Sequence, residues 1–291
     1  MLSQQLQYFV TGISVGSIYA LVALGFTLIH RVTGIINFAQ GEFVMLGGMV
    51  AFFFFRHLGF PLWGACVLSI VVVTVVGLLL ERLAIRTARQ ASIITLIIIT
   101  IGASIFIRGV VSQVWPWSND YITFPPLTGE QSLSFFGAAI APQNLWIIGT
   151  TIVFMLLLHL LLSRTPMGKA LTACAVNLRA AAIVGIDARF MSLLSFGLAA
   201  AMGAVAGILI APKSPIFVEA GVMLGLKGFL AAAMGGLTSM VGALLGGLGL
   251  GLLESFAAGD ISSAWGEAIA LSVFLVILLV RAGTLARESG S

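Results

Sequence analysis

The chain has 291 residues, of which 60% are hydrophobic and only 8% are charged, against about 25% charged residues in a typical soluble domain. A water-soluble domain of this length could not bury so much apolar surface, which excludes soluble enzymes and soluble binding modules. The net charge of +4 comes from 14 cations spread thinly along the chain, so the sequence contains no basic patch for nucleic acid.

Eight mostly apolar runs follow one another along the chain, most of them near the 20 or so residues that a helix needs to cross a bilayer. Backbone amides in lipid have no partner outside their own element, so we predict that every run is helical. We expect an all-α, polytopic integral membrane protein with about eight transmembrane helices, in which residues 1–291 form one domain. The runs cover residues 6–29, 35–55, 60–80, 92–111, 144–163, 191–211, 222–253 and 267–280.

The seventh run, residues 222–253, is too long for one span and is rich in glycine. We predict a break near residues 235–239, which read Gly-Gly-Leu-Thr-Ser. Non-helical backbone at that depth is tolerated where protein shields it or where it faces water. The run then forms either two half-helices or a tight re-entrant hairpin, and the distribution of cations favours the hairpin.

Pairs of glycines four residues apart occur five times in these runs. Without side chains, two helices can approach closely enough to gain dispersion contacts in lipid. We interpret most of the pairs as ordinary close packing, and the functional alternative is that the closely packed spans slide or rock. The pairs are Gly12/Gly16, Gly203/Gly207, Gly221/Gly225, Gly242/Gly246 and Gly247/Gly251.

The cations predict the orientation of the chain in the membrane. The loops after runs one, three and five carry eight cations: Arg31, Arg82, Arg86, Arg89, Arg164, Lys169, Arg179 and Arg189. The opposite loops and nearby helix ends carry four: Arg56, Arg108, Lys213 and Lys227. The positive-inside rule places the first group in the cytoplasm and the N-terminus outside. With a hairpin, Arg281 and Arg287 of the tail are also cytoplasmic, and we expect Arg108 and Lys227 to extend to an interface.

A polar block interrupts the second run. Asn37, Gln40 and Gly41 share one face of a regular helix, whereas Glu42 lies off that face. Either the helix is not regular up to Gly41, or Glu42 pairs elsewhere. A charge inside the membrane costs about 2.5–3.5 kcal/mol on insertion scales and needs a partner or water. The block therefore either lines a substrate path or forms a structural clamp, in which Glu42 binds backbone donors of a broken helix.

A second carboxylate, Glu254, lies at the end of the seventh run. We interpret it as an interfacial carboxylate exposed to water.

Two loops carry further information. Residues 112–143 are long, contain several aromatics and prolines, and favour an interfacial anchor over a ligand platform. Residues 164–190 begin with Pro166 near a helix end, continue with good helix-forming sequence over 170–183, and have Gly185 as a candidate C-cap. We predict a short helix lying flat at the cytoplasmic surface. A transporter driven by an external motor needs such a helix, whereas a channel has no evident need for one.

The sequence lacks the sets of residues that several kinds of chemistry require. There is no Gly-x-x-x-x-Gly-Lys-[Ser/Thr] phosphate loop, so the chain does not hydrolyse nucleotide in that manner. His30, His57 and His159 are isolated, and neither Cys66 nor Cys174 has a partner at ligand spacing, so we expect no metal site and no disulfide. No nucleophile, base and orienting acid form a set. We therefore expect a protein that is not an enzyme and has no cofactor.

Several motifs together resemble the branched-chain amino acid ABC transporter permeases of the LivH type. The resemblance covers nearly the whole chain. It rests on residues 16–21 (Gly-Ser-Ile-Tyr-Ala-Leu), 36–43 (Ile-Asn-Phe-Ala-Gln-Gly-Glu-Phe), 164–170 (Arg-Thr-Pro-Met-Gly-Lys-Ala), 177–181 (Asn-Leu-Arg-Ala-Ala), 185–187 (Gly-Ile-Asp), 235–236 (Gly-Gly) and 249–254.

The resemblance implies a multi-pass subunit of the bacterial inner membrane, surrounded by lipid. It implies a second, homologous permease subunit, two cytoplasmic ATPase subunits and a periplasmic substrate-binding protein. Residues 164–190 would be the coupling segment seated on an ATPase, with Arg179, Gly185 and Asp187 in that role. The family often has His at the position of Gln40, so a role that needs an imidazole is absent. The tail at residues 281–285 also departs from the common family pattern.

We therefore predict a permease subunit of an ATP-driven importer for branched-chain or other hydrophobic amino acids. Urea and short-amide importers share these motifs, which leaves the solute open. An alternative of another class is a stand-alone channel or ion-coupled carrier, with the coupling ion at Glu42 near a broken helix.

Overall fold

The computed structural model describes residues 2–88, 91–115, 123–129, 133–135, 138–262, 265, 268–273 and 275–276. Within these ranges its regular structure is helical apart from one short β-hairpin. In chain order the elements are α1 (Leu2–Thr33), α2 (Gln40–Phe52), α3 (Leu62–Leu80), α4 (Ile93–Val114), β1 (Leu133–Phe135), β2 (Ala138–Ile140), α5 (Pro142–Arg164), α6 (Pro166–Val176), α7 (Leu178–Ile183), α8 (Ala188–Ile210), α9 (Ala220–Gly235) and α10 (Met240–Phe256). Three helices continue as π-helical turns, α2 through Phe53–His57, α3 through Glu81–Ile85 and α10 through Ala257–Ile261.

Six helices of the described part are long and apolar enough to cross a membrane, judged by length and composition. They are Ser3–Thr33, Leu62–Ile85, Ile93–Val114, Pro142–Arg164, Ala188–Ile210 and Met240–Ile261. The sequence predicted about eight. The second run becomes helical only at Gln40, and α9 is a shorter apolar helix of 16 residues. The end of the eighth run, residues 277–280, lies outside the described residues.

The centre of the bundle is α1, which packs against α5, α8, α9 and α10. Its tightest neighbour is α10, because a Cβ on Gly16 would come within 2.8 Å of the Gly247 carbonyl oxygen, and one on Gly12 within 2.9 Å of the Leu252 Cα. At least one glycine of each predicted pair, and in most cases both, lies against the backbone of another helix. The close-packing interpretation is therefore confirmed, and sliding of these helices stays a prediction.

The periphery of the bundle is formed by α3, α4 and α5. Their outer faces carry exposed apolar side chains, such as Val67, Ile105 and Leu156. Their inner faces pack on a core that includes Phe26, Phe43 and Phe196, all fully buried. In a protein of this composition, so large an apolar surface fits lipid or another membrane subunit.

The seventh run breaks where the sequence predicted. The helix α9 ends at Gly235, and Gly236 takes a φ of 82°, a left-handed conformation that glycine adopts without steric cost. Ser239 then caps α10, its hydroxyl accepting a hydrogen bond from the Gly242 N–H at 3.0 Å. Gly235 lies against Gly242, and Gly246 lies against Ala231. The two helices therefore run antiparallel, which confirms the break and gives the hairpin geometry.

One end of the bundle gathers most of the cations. At this end, which we call the cationic end, α1, α5 and α9 terminate and α4, α8 and α10 begin; it carries Arg31, Arg82, Arg86, Arg164, Lys169, Arg179 and Arg189 among the described residues. Arg56 and Lys213 lie at the opposite end. Contacts at that end include the ring pair of Trp63 and Trp146, 5.5 Å apart. Arg89, Arg281 and Arg287 lie outside the described residues. The clustering agrees with the predicted cation asymmetry, and the assignment of this end to the cytoplasm stays a prediction.

The loop between α4 and α5 lies at the opposite end and is partly folded onto the bundle. Phe124 is buried and meets the Phe55 ring edge-on at 5.6 Å. The hairpin pairs Leu133 with Ile140. Two aromatics of the predicted interfacial anchor, Trp117 and Tyr121, lie outside the described residues.

Candidate functional site

The polar block begins with a turn and not with a helix. The Asn37 side-chain oxygen accepts a hydrogen bond from the Ala39 N–H at 3.1 Å, and its backbone carbonyl accepts one from the Gln40 N–H at 3.1 Å. The helix α2 starts only at Gln40. The segment is therefore not a regular helix up to Gly41, which confirms one of the two alternatives that the sequence left open.

The start of α2 lies inside the bundle. Gln40 is fully buried, sits against Gly25 of α1, and donates a hydrogen bond from Nε2 to the Ala199 carbonyl of α8 at 3.0 Å. Gly41 packs against Gly221 and Gly225 in the first turns of α9, so that the first turns of α2 and α9 meet. No side chain larger than hydrogen fits this contact without displacing the backbones.

The helix α9 enters the bundle in the same way as α2. Its first residues are preceded by a turn in which the Ala220 N–H bonds the Phe217 carbonyl at 3.0 Å and the Val222 N–H bonds the Glu219 carbonyl at 3.1 Å. The residue before each helix has nearly the same backbone conformation, with φ and ψ of −78° and 1° at Ala39 and −82° and −11° at Glu219. Two short helices thus begin beside each other within the apolar part of the protein.

Glu42 pairs with α4, so the second alternative of the sequence analysis also holds. Its Oε1 accepts a hydrogen bond from the Ser104 hydroxyl at 2.7 Å and lies 3.3 Å from Arg108 Nε. Glu42 is 1% exposed and Arg108 is 28% exposed. The clamp was expected to use backbone donors, and the observed partners are side chains of a neighbouring helix. The pairing of Arg108 Nε with Glu42 was not predicted, and extension of Arg108 to an interface stays a prediction.

The residues of α4 that face α2 form a polar stripe spaced by four residues. Thr100 accepts a hydrogen bond from the Phe38 N–H at 3.1 Å, and Ser104 and Arg108 follow on the same face. The opposite face of α4 is apolar and exposed. Glu42 lies in the first turn of α2, where the helix dipole also favours a negative charge. The stripe therefore attaches a peripheral helix to the buried start of α2.

Removing the cation of this pair is expected to loosen α4. In Arg108→Met the Glu42 carboxylate stays buried and loses its counter-charge, which costs about 3 kcal/mol, the low end for breaking a buried pair. The measurement is the thermal unfolding midpoint of the protein in detergent. The double variant Glu42→Gln/Arg108→Met removes both charges and is expected to recover most of the loss. A single variant as stable as the wild type would show that the pair does not hold α4.

A second intramembrane ion pair joins α1, α9 and α10. Lys227 Nζ lies 2.8 Å from Glu254 Oε1, and the Tyr19 hydroxyl donates a hydrogen bond to Glu254 Oε2 at 2.7 Å. Lys227 also donates to the Tyr19 hydroxyl at 3.2 Å. The Lys227 and Glu254 side chains are 13% and 22% exposed. We call Tyr19, Lys227 and Glu254 the charged triad.

Sequence reasoning missed the charged triad. It placed Lys227 at an interface and Glu254 in water, and did not predict that the two charges pair with each other between packed helices. A signal was present, since a lysine inside an apolar run requires a partner and the predicted hairpin brings residues before the break alongside residues after it. Tyr19 gave no signal, because its partners lie more than 200 positions away in the chain.

The segment between α5 and α8 consists of two short helices, each with its own caps. Thr165 caps α6 by accepting a hydrogen bond from the Gly168 N–H at 3.0 Å. Asn177 caps α7 by accepting from the Arg179 and Ala180 N–H groups, both at 3.0 Å. The sequence predicted one helix over residues 170–183. It divides because Asn177 adopts an extended conformation, with a φ of −155°, and begins a new helix with its own side chain.

The predicted C-cap at Gly185 is confirmed. Gly185 has a φ of 88°, its N–H bonds the Ala182 carbonyl at 3.1 Å, and the Ile186 N–H bonds the Ala181 carbonyl at 3.0 Å. This pair of bonds is a Schellman motif, which ends a helix and turns the chain sharply. The turn directs the chain from α7 into α8.

Asp187 starts α8. Its carboxylate accepts hydrogen bonds from the Arg189 N–H at 2.8 Å and the Phe190 N–H at 3.3 Å. These backbone donors, the Arg189 one first, hold the pKa of the Asp187 carboxyl below its ordinary value. The cap is therefore complete at neutral pH and is lost only when the pH falls through that lowered pKa. Arg179, Gly185 and Asp187 thus lie in one exposed segment, two of them at its turn into α8.

The outer surface of α6 and α7 combines exposed apolar and cationic groups. Ile183 is 86% exposed and Val184 is 75% exposed, and Val176 is exposed at the end of α6. Arg179 is exposed beside them. On the inner side, Leu171 and Ala181 pack with Val32 of α1. The segment is thus anchored to the bundle on one side and presents an unpacked apolar surface on the other.

The titratable residues of the described part do not form a metal site, because no group of three or more His, Cys, Asp or Glu side chains occurs there. Cys66 and Cys174 are both buried and do not form a disulfide. Among the described residues, four ionisable groups inside the bundle form the two ion pairs described above. Lys213 instead donates a hydrogen bond to the Asn144 side-chain oxygen at 2.7 Å, and Glu81 is buried at the end of α3.

Comparison with known proteins identifies relatives over almost the entire chain. The family model of the permease component of branched-chain amino acid transport systems matches residues 8–279. The permease protein BraD of a high-affinity branched-chain amino acid transport system in Pseudomonas aeruginosa is 34% identical over 289 residues, which cover 95% of this chain and 94% of BraD. LivH of Escherichia coli K12, a permease protein of the same kind of system, is 34% identical over 298 residues, covering 96% of each chain. The galactofuranose transporter permease protein YtfT of the same strain is 28% identical over 204 residues, covering 64% of this chain and 55% of YtfT.

Proposed function

This chain belongs to the family of permease components of branched-chain amino acid transport systems, and we propose that it carries hydrophobic amino acids across the bacterial inner membrane as one subunit of an ATP-driven importer. It is a multi-pass membrane permease and not an enzyme. Its partners in this proposal are a second homologous permease, two cytoplasmic ATPase subunits and a periplasmic binding protein.

The observation that carries the proposal is the α6–α7 segment. Three caps fix the two short helices at the cationic end, and a fourth, Asp187, starts α8 directly after them. The exposed surface of α6 and α7 is apolar with cations beside it. These caps hold the segment in one conformation, which a flexible connecting loop does not require. The segment suits transmission of force, because α6 continues from α5 and the turn at Gly185 leads directly into α8. We assign residues 164–190 as the cytoplasmic coupling segment, with Arg179 at the contact and Gly185 and Asp187 fixing the turn.

The crossing number in this proposal is about eight. The short helices α2 and α9 each follow a non-helical segment, residues 34–39 and 211–219, that leads to the buried start of the helix. In this proposal such a segment and its short helix together complete one crossing. Non-helical backbone is acceptable in a membrane where protein shields it, and Asn37, Ala39, Ile216 and Val218 of the two segments are buried. With α9 and α10 as a hairpin, the tail returns to the cytoplasm.

For the block of Asn37, Gln40, Gly41 and Glu42 we propose the role of a clamp at the start of α2. Its support is the tight contact of Gly41 with α9 and the engagement of Gln40 and Glu42 by α8 and α4. In this role the block holds α4, α8 and α9 against the start of α2, and the substrate path does not pass through the block.

The test is transport by the reconstituted complex. The permease pair, the ATPases and the binding protein are placed in liposomes, and uptake of labelled L-leucine is measured with ATP and with a non-hydrolysable analogue. ATP-dependent leucine uptake is expected, and uptake of urea or acetamide at the same concentration is not. Gradient-driven uptake by this chain alone would overturn the proposal in favour of a carrier, and ATP-dependent uptake of urea without leucine would reassign the solute.

A further inference from the structure

The charged triad lies in the membrane-spanning part of the bundle. At 1.5 Å per residue, Tyr19 is about 21 Å from the end of α1 and Glu254 is about 21 Å from the start of α10, and both of those helix ends belong to the cationic end. A hydrocarbon layer is about 30 Å thick. A charge pair at this depth is costly, and replacing a buried pair by apolar residues of similar volume is often neutral or stabilising. Stability alone therefore gives little reason for its presence.

Glu254 also lines an open groove between α1 and the outer half of α10. The groove has a volume of about 430 Å³, within the range of about 300–1,000 Å³ of small-molecule pockets. Its lining mixes polar and apolar groups: Gln7, Tyr8 and Thr11 of α1 face Glu254 and Ser255 of α10, with Val15 and Ala258 beside them. Most of the accessible lining is apolar, and the polar groups are few and lie near Glu254. Such a groove is suited to a solute that is charged at one end and apolar at the other.

The chemistry of the triad matches a zwitterion. If the groove admits a solute with an ammonium and a carboxylate, its carboxylate can take the place of Glu254 at Lys227, and its ammonium can take the place of Lys227 at Glu254. Positive and negative groups of the solute and the protein then alternate, and the net charge of the site stays zero. A solute with only one of the two charges leaves an unpaired charge in the bundle, which is strongly unfavourable.

Tyr19 makes this exchange feasible. Its hydroxyl donates to Glu254 and accepts from Lys227 in the same arrangement, so it can keep one hydrogen bond to either residue while the other is released. Lys227 also lies 5.4 Å from the centre of the Tyr19 ring, a distance at which the ring attracts its ammonium. The long, flexible stem of lysine lets the ammonium move away from Glu254 without a change in the backbone.

We propose that Lys227, Glu254 and Tyr19, together with the groove of Gln7, Thr11 and Ser255, form a binding point for the charged backbone of a zwitterionic amino acid on its way through the membrane. The inference rests on the proposed transport function and adds to it the residues that recognise the solute. The solute side chain would lie along the apolar part of the groove, which explains how one charged site serves several hydrophobic amino acids.

The first test measures occupation of the groove directly. Ser255→Cys is introduced into the complex in liposomes, and its reaction with a water-soluble thiol reagent is followed by peptide mass spectrometry, which separates it from the native cysteines. L-leucine is expected to slow labelling at position 255 at least threefold. 4-Methylpentanoate, which lacks the ammonium, and 3-methylbutylamine, which lacks the carboxylate, are expected to have no such effect at equal concentration.

Two variants and one control complete this test. Lys227→Met or Glu254→Gln, each added to Ser255→Cys, is expected to abolish protection by leucine. Labelling of Ser92→Cys, at an exposed position before α4, is expected to be unaffected by leucine throughout. Labelling at position 255 that leucine does not slow, or protection that survives both variants, would overturn the inference. This readout does not require ATP, so it separates failure of the binding point from failure of the proposed import.

The second test separates binding from coupling in the working importer. Lys227→Met is expected to reduce leucine uptake more than tenfold while ATP hydrolysis stimulated by the loaded binding protein stays within twofold of the wild type. Uptake and stimulated hydrolysis that fall together would assign the triad to structure or coupling and overturn the inference, as would unchanged uptake. Glu42→Gln, in the other intramembrane pair, is the matched control and is expected to leave the ratio of leucine uptake to ATP hydrolysis unchanged.

Discussion

The substitution Gly247→Val is expected to abolish the folded permease. A Cβ at Gly247 would lie 2.8 Å from the Cβ of Ala20 and nearer still to the Ala20 backbone. Overpacking costs about 1–3 kcal/mol where side chains can adjust. Here the obstacle is main chain in the centre of α1, so α1 and α10 must separate along their whole contact, and we expect a loss above that range.

The measurement is the yield of monodisperse protein in gel filtration and its thermal unfolding midpoint in detergent. Gly149→Val on α5 is the matched control, because Gly149 is helical and a Cβ there would meet no atom within 4 Å. The control is expected to behave like the wild type. A Gly247→Val protein with the wild-type unfolding midpoint would show that the contact between α1 and α10 is much looser than the structure has it.

Under the proposed function, the substitution Ile183→Asp is expected to weaken binding of the proposed ATPase subunits without unfolding the permease. Ile183 is 86% exposed at the end of α7, so the change should leave the unfolding midpoint unaltered. In the assembled importer the new carboxylate would be buried against an apolar partner surface without a counter-charge. Losses at such interface positions reach about 2 kcal/mol or more, which corresponds to about a thirtyfold weaker association.

Retention of the ATPase subunits on the tagged permease is the direct measurement, and ATP-driven leucine uptake is the second. Ile261→Asp is the matched control, since Ile261 is also an exposed isoleucine but lies at the opposite end of the bundle. It is expected to retain the ATPases. Full retention and full uptake in Ile183→Asp would remove α7 from the coupling contact and weaken the proposed function with it.

These two predictions depend to different degrees on the sequence. The glycine spacing already indicated close helix packing, but not that Gly247 meets Ala20. The caps of the proposed coupling segment were partly predictable, since Pro166 and Gly185 indicated where it begins and ends. The division at Asn177 was not, because an Asn within an Ala-rich stretch is compatible with a helix until its side chain caps a new one.

By itself, the sequence determined the membrane class, the positions of most helices, the break at Gly235–Gly236 and the family. These follow from hydropathy, glycine and motif spacing, because the cost of unpaired backbone in lipid acts on each stretch of chain separately. Only the tertiary structure decided the partners of Glu42, Arg108, Lys227 and Glu254 and the start of α2 inside the bundle. A charge in an apolar run requires some partner, but which one it meets depends on how helices distant in sequence pack together.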